Sequence, residues 1–134
     1  MIVLASCKEA GKTFETAKRV TFTFIRNTEK APKAKGEDLF QQRLEPTGLY
    51  LLFDSLPKAP LARGWARGKI TLANPLVLMW NTEDTGRYDE HSWKATLAKA
   101  TGKRGKALNA ALKKLGWDSV VTVREGATSE IVVL

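Results

Sequence analysis

Two helix-type hydrophobic patterns follow one another directly within residues 92–115, with strand-type patterns before and after them. Ser92 stands where it can cap a helix that carries Trp93, Leu97 and Ala100 on one face. Residues 103–115 repeat the pattern more strongly, with Leu108, Ala111, Leu112 and Leu115 at i, i+3, i+4 and i+7. Lys113 and Lys114 suit the negative end of that helix, and Gly116 suits the C′ position just past it. With no strand between the two helices, regular β-α alternation is excluded. The order predicts an α+β domain.

The strand signals are local and short. Residues 19–26 (Arg-Val-Thr-Phe-Thr-Phe-Ile-Arg) alternate with period two, placing Val20, Phe22 and Phe24 on one face. Residues 27–36 read as a loop and 37–44 as one short helix. Pro46-Thr47-Gly48 breaks the chain ahead of an apolar strand at 49–53. Residues 55–68 predict a short helix around 61–66. Residues 69–80 predict a strand interrupted at Asn74-Pro75, since proline cannot donate to a sheet ladder. A polar loop covers 81–90. Residues 119–124 and 129–134 predict a closing hairpin across the turn 125–128. Residues 1–18 read as an N-terminal extension to one domain, partly helical over 7–18.

The chain of 134 residues, 43% hydrophobic and 27% charged, has the composition of one globular domain. Its apolar runs fall short of the roughly 20 residues of a spanning helix, so no membrane partner is expected. Met1-Ile2-Val3-Leu4-Ala5 is too short for a signal-peptide core. Cys7 is the single cysteine, which predicts a reducing cytoplasm and excludes an internal disulfide and a cysteine-based zinc site. His91 is the single histidine, so a two-histidine metal site is excluded and no metal is expected. The net charge of +8 draws anions: nucleic acid, phosphate-bearing cofactors or an acidic partner.

Gly11-Lys12-Thr13 suggests a phosphate-binding loop, but Ser6 occupies the position of that loop's first glycine. Lys99, Lys103, Arg104 and Lys106 suit a nucleic-acid face, and equally the solvated back of an amphipathic helix. Trp65, Trp80, Trp93 and Trp117 have apolar neighbours and read mainly as core residues. Three scattered residues carry more chemistry. Arg26 ends the alternating strand, where a guanidinium can hold a phosphate or carboxylate at the mouth of the core. Tyr50 opens the strand after Thr47-Gly48, and Glu130 interrupts an apolar final strand. Structural alternatives stand beside these: an Arg26–Glu130 ion pair, a core Tyr50, and Glu130 as a charge that blocks edge-to-edge aggregation.

Thr47-Gly48-Leu49-Tyr50-Leu51, with Asp54-Ser55 and the Ala/Arg-rich run 62–68 behind it, resembles the second motif of the ADP-ribosyltransferase family. Asn74-Pro75-Leu76 resembles a strand of its small phage and bacterial members. Leu115-Gly116-Trp117-Asp118-Ser119-Val120-Val121, then Ser129-Glu130-Ile131-Val132-Val133-Leu134, resembles their ending. Phe24-Ile25-Arg26-Asn27-Thr28 sits where the first motif belongs. The resemblance covers residues 19–134 and implies two small, mostly antiparallel sheets around an NAD cleft. It implies transfer of ADP-ribose from NAD to a macromolecular acceptor, protein or nucleic acid. Arg26, Thr47, Gly48 and Tyr50 match cofactor-binding positions, with Tyr50 against the nicotinamide, and Glu130 matches the catalytic acid. Thr128 stands where arginine-modifying members carry a second Glu, so arginine is not implied as the acceptor. The alternative is a basic nucleic-acid-binding module without catalysis.

Overall fold

The computed structural model describes residues 4–5, 20–28, 41–80, 92–124 and 127–134. The polar stretch 7–18 with its Gly11-Lys12-Thr13, the loops 29–36 and 81–90, and His91 lie outside the described residues, as does the Trp80 side chain. Seven strands and two helices follow in the order β1 (Leu4–Ala5), β2 (Val20–Asn27), β3 (Leu49–Phe53), β4 (Trp65–Leu72), β5 (Pro75–Trp80), α1 (Trp93–Thr101), α2 (Gly105–Lys114), β6 (Ser119–Arg124) and β7 (Ala127–Val133). This is an α+β domain, as the order of patterns requires. No helix among the described residues is long and apolar enough to cross a membrane.

The described strands form one sheet in the order β1-β5-β6-β7-β3-β2-β4, where the family resemblance implied two. All neighbours pair antiparallel except β5 and β6. Leu4 and Ala5 pair with Leu78 and Val77, so residues read as part of an extension belong to the sheet edge. Only Ala73 and Asn74 separate β4 from β5, yet those strands lie five places apart in the sheet. In a flat sheet that is about 24 Å, whereas the three chain steps from Leu72 to Pro75 reach about 11 Å. The sheet must therefore roll. Asp118 holds the corner, its two carboxylate oxygens accepting from the Ala73 and Asn74 N–H groups at 2.8 and 3.1 Å.

Rolling creates an inner and an outer face. Phe22, Leu51, Leu72, Val77, Val121, Val123 and Ile131, from six strands, pack together on the inner face. The outer face of β5, β6, β7 and the start of β3 is covered by the helices: Leu76, Leu78, Val120 and Val132 pack against Trp93, Leu97, Leu108 and Leu112, with Tyr50 alongside.

Several local expectations change. The helix around 61–66 is absent, because Trp65 and Ala66 already belong to β4 and pair with Asn27 and Arg26. The described end of the 37–44 helix, from Gln41 onward, is a turn. Residues 69–80 divide into two strands at opposite ends of the sheet, so the Asn74-Pro75 break is a corner. Leu115 and Ala100 are exposed, because each falls at the last turn of its helix, beyond the sheet. Ser92 does cap α1: its Oγ accepts from the Ala95 N–H at 3.3 Å, and Gly102 ends the helix at φ 66°. Trp93 is buried, and Trp65 and Trp117 are half-buried.

Gly48 packs where β3 meets the end of β7. A Cβ there would run into the backbone carbonyl oxygen of Val133 and come within 3.0 Å of the Val132 Cγ1. Backbone yields less readily than a flexible side chain. Gly48→Ala is therefore expected to lose about 1–3 kcal/mol of stability, read from urea denaturation. A midpoint equal to wild type would show that β3 can move away from β7 at no cost.

Candidate active site

Tyr50 and Glu130 share the outer face of the sheet. Tyr50 pairs with Val132 and Leu52 pairs with Glu130, so Tyr50 and Glu130 are diagonal neighbours on adjacent strands. The half-buried Tyr50 ring lies beside the helix layer, and its hydroxyl donates to the Pro46 carbonyl at 2.6 Å. The Lys94 Nζ is 5.8 Å from the ring centroid. Lys94 is buried and forms an ion pair with Glu45 at 2.6 Å.

Residues 41–47 thus form a strap across the helix starts. Gln41 accepts from the Ser92 hydroxyl, the Glu45 carbonyl accepts from the Gly105 N–H at 3.1 Å, and the Thr47 carbonyl accepts from the Asn109 Nδ2 at 2.5 Å. Thr47 and Gly48, matched by resemblance to cofactor-binding positions, are used here through their backbone: Thr47 in the strap, Gly48 against β7.

On β7 and β3 the helix cover ends at Val132 and Tyr50, while on β5 it reaches one row further, to Leu78 opposite the buried Thr122. In the next row Glu130 is half-buried and Leu52 remains 40% exposed, with half-buried Ile25 beside it on β2. Glu130 occupies a β-bulge. Val121 pairs with Ile131 and Val123 with Thr128, leaving Ser129 and Glu130 both opposite Thr122. The Thr122 hydroxyl accepts from the Glu130 N–H and donates to the Glu130 carbonyl, both at 2.9 Å.

Arg26 is placed differently. The register between β2 and β4 runs unbroken from Val20 to Asn27, so Arg26 has the same parity as Phe22 and Phe24. It stands exposed at the end of the inner-face row, at the mouth of the roll, with a whole strand between its own and that of Glu130. The sheet brings Tyr50 and Glu130 together and leaves Arg26 on the other face. An Arg26–Glu130 ion pair is excluded by the same parity.

Arg67, in the Ala/Arg-rich run, pairs with Ile25 and so has the parity of the Glu130 face. Its Nε binds Asp54 at 2.5 Å, and its Nη2 donates to the carbonyls of Leu56 and Ala59 at 3.1 and 2.9 Å. Arg67 thereby clamps the β3–β4 loop beside the open strands. An arginine in an Ala/Arg-rich run gives no local sign of that task.

Lys99, Lys103, Arg104 and Lys106 are all exposed around the α1–α2 turn. Beside them lies a groove of about 240 Å³ lined by Leu44, Ala98, Gly102, Lys103 and Arg104. No protein-family model matches the chain, and no curated protein or solved structure matches it significantly.

Proposed function

We propose that this chain is an ADP-ribosyltransferase-like domain that uses NAD to modify a macromolecular acceptor, protein or nucleic acid. The observation that carries the reading is Glu130. A half-buried carboxylate sits on a bulge, one strand position past the covered Val132 and diagonal to an aromatic ring. Bulges occur often next to active sites, where they re-aim a side chain. In this reading the NAD site is the step between the helix layer and the open strands, not a gap between two sheets. Tyr50 offers a face to the nicotinamide, and Leu52 and Ile25 form an apolar floor. When the nicotinamide leaves with the electron pair of its glycosidic bond, positive charge grows on the ribose. A fixed carboxylate favours that charge more in the transition state than in the ground state. Arg26, on the opposite face, takes no part in this arrangement.

The test is nicotinamide release from NAD, followed chromatographically, together with thermal unfolding in the presence of NAD. Release is expected, and NAD at 100 times its dissociation constant should stabilise the fold by about 2.7 kcal/mol. No release and no thermal shift, with cell lysate supplying acceptors, would end the transferase reading.

The basic turn between the helices favours a second reading, a nucleic-acid-binding surface. If Lys99, Lys103, Arg104 and Lys106 each contact phosphate, the logarithm of the binding constant should fall against log salt with a slope of about −3 to −4. Replacing Lys103 and Arg104 by Gln should reduce that slope by about 2. Salt-independent binding, or none, removes this surface from consideration.

A further inference from the structure

We infer that Thr122 is the positioning residue of Glu130, pinning the backbone of the bulge from which the carboxylate projects on the outer face. This rests on the transferase reading for its catalytic consequence, and on the sheet alone for its geometry.

A bulge removes ladder hydrogen bonds from the extra residue and loosens its direction. Here the loss is made good by one side chain. Both backbone polar groups of Glu130 point toward β6, and the Thr122 hydroxyl satisfies both, accepting from the N–H and donating to the C=O at 2.9 Å each. Thr122 is 1% exposed and belongs to the outer face, whereas its chain neighbours Val121 and Val123 pack on the inner face. A buried hydroxyl costs free energy unless its donor and acceptor are both used. At this position they are used on one residue, the one that carries the carboxylate. Threonine is stiff at χ1, so the hydroxyl is held in place. Valine has the same shape and would suit the apolar Leu78 that pairs with this position on β5. What threonine adds at this site is the pair of bonds to Glu130.

The experiment compares Thr122→Val and Thr122→Ser with wild type, with folding checked by circular dichroism. Thr122→Val is expected to lower the kcat of nicotinamide release by about 10- to 100-fold, the size of a small misplacement of a reacting group, with KM for NAD within about twofold. Thr122→Ser keeps the hydroxyl and should recover most of the rate. In parallel, the Glu130 amide should lose hydrogen-exchange protection in the valine variant, and its amide–Hα scalar coupling should show the backbone φ spreading over a wider range. Thr122→Cys, similar in size but only a weak donor, carries the same comparison if the valine variant does not fold. A valine variant with wild-type kcat and an unchanged Glu130 φ overturns the inference. Wild-type protein that releases no nicotinamide overturns the transferase reading instead. The φ distribution then still decides the positioning role, supporting it if it spreads in the valine variant and overturning it if it does not.

Discussion

Glu130→Gln is expected to fold as wild type and to release nicotinamide about 100- to 1,000-fold more slowly, the usual loss when one positioned electrostatic group is removed from a reacting centre. Glutamine keeps the volume and can still accept a hydrogen bond from a ribose hydroxyl, so NAD binding should change little. It cannot place negative charge beside a forming oxocarbenium ion. The bulge makes this a clean substitution, because the bonds that shape it come from the backbone of Glu130 and the Thr122 hydroxyl, and glutamine leaves them intact. A charge serving to prevent aggregation on the strand would give the opposite pattern: unchanged turnover and lower solubility. That role is already weakened by position. Glu130 lies on β7, an interior strand flanked by β6 and β3, where no edge is available for another chain. Equal turnover in wild type and mutant would remove Glu130 from the site and leave the open strands without a catalytic group.

Lys94→Met is expected to cost about 3 kcal/mol of stability, the low end of the range for breaking a buried ion pair from one side. The Lys94 side chain is 3% exposed and that of Glu45 22%. With lysine gone, the Glu45 carboxylate stays largely shielded from water and loses this 2.6 Å ion pair. The Lys94 ammonium also stands 5.6 and 5.8 Å from the ring centroids of Trp93 and Tyr50, so the same change removes a cation from two aromatic faces. Removing both charges, with Lys94→Met and Glu45→Gln together, should recover a good part of the loss, because the carboxylate charge that the lysine offset is then gone as well. Urea denaturation of the two single variants and the double variant closes the cycle. A single-variant loss below about 0.5 kcal/mol would place the pair in the class of surface ion pairs. Because the strap of residues 41–47 also holds Tyr50 through the Pro46 carbonyl, the lysine variant should weaken NAD binding before it unfolds the sheet.

The elements legible in the sequence are those decided by neighbours a few residues apart. The alternating Val20, Phe22 and Phe24 make a strand. Ser92 accepts a hydrogen bond from Ala95 because capping is a three-residue matter. Leu108 and Leu112 are buried because a helical period puts them on one face. Residues 61–66 misled for the same reason. Ala and Arg favour a helix locally, yet Trp65 and Ala66 gain more by pairing with β2, and tertiary context outweighs a propensity of tenths of a kcal/mol. Of the candidate site, the sequence singled out Tyr50 and Glu130 by type, and by resemblance gave them partners in Arg26, Thr47 and Gly48. Whether such residues meet depends on register and parity, which no local pattern carries. One pairing, Leu52 with Glu130, puts the acid diagonal to Tyr50, and one unbroken ladder turns Arg26 to the other face. The bulge, the roll enforced by the two-residue β4–β5 corner, and the burial of Lys94 against Glu45 all join residues far apart in the chain. The sequence by itself determined the α+β class, the two helices and the strands at 20–27, 49–53, 119–124 and 127–133 to within a residue or two, because periodicity and capping act over single turns and adjacent strand positions. Only the tertiary structure decided which faces those elements share, because a strand shows opposite faces at successive residues and a slip of one exchanges them.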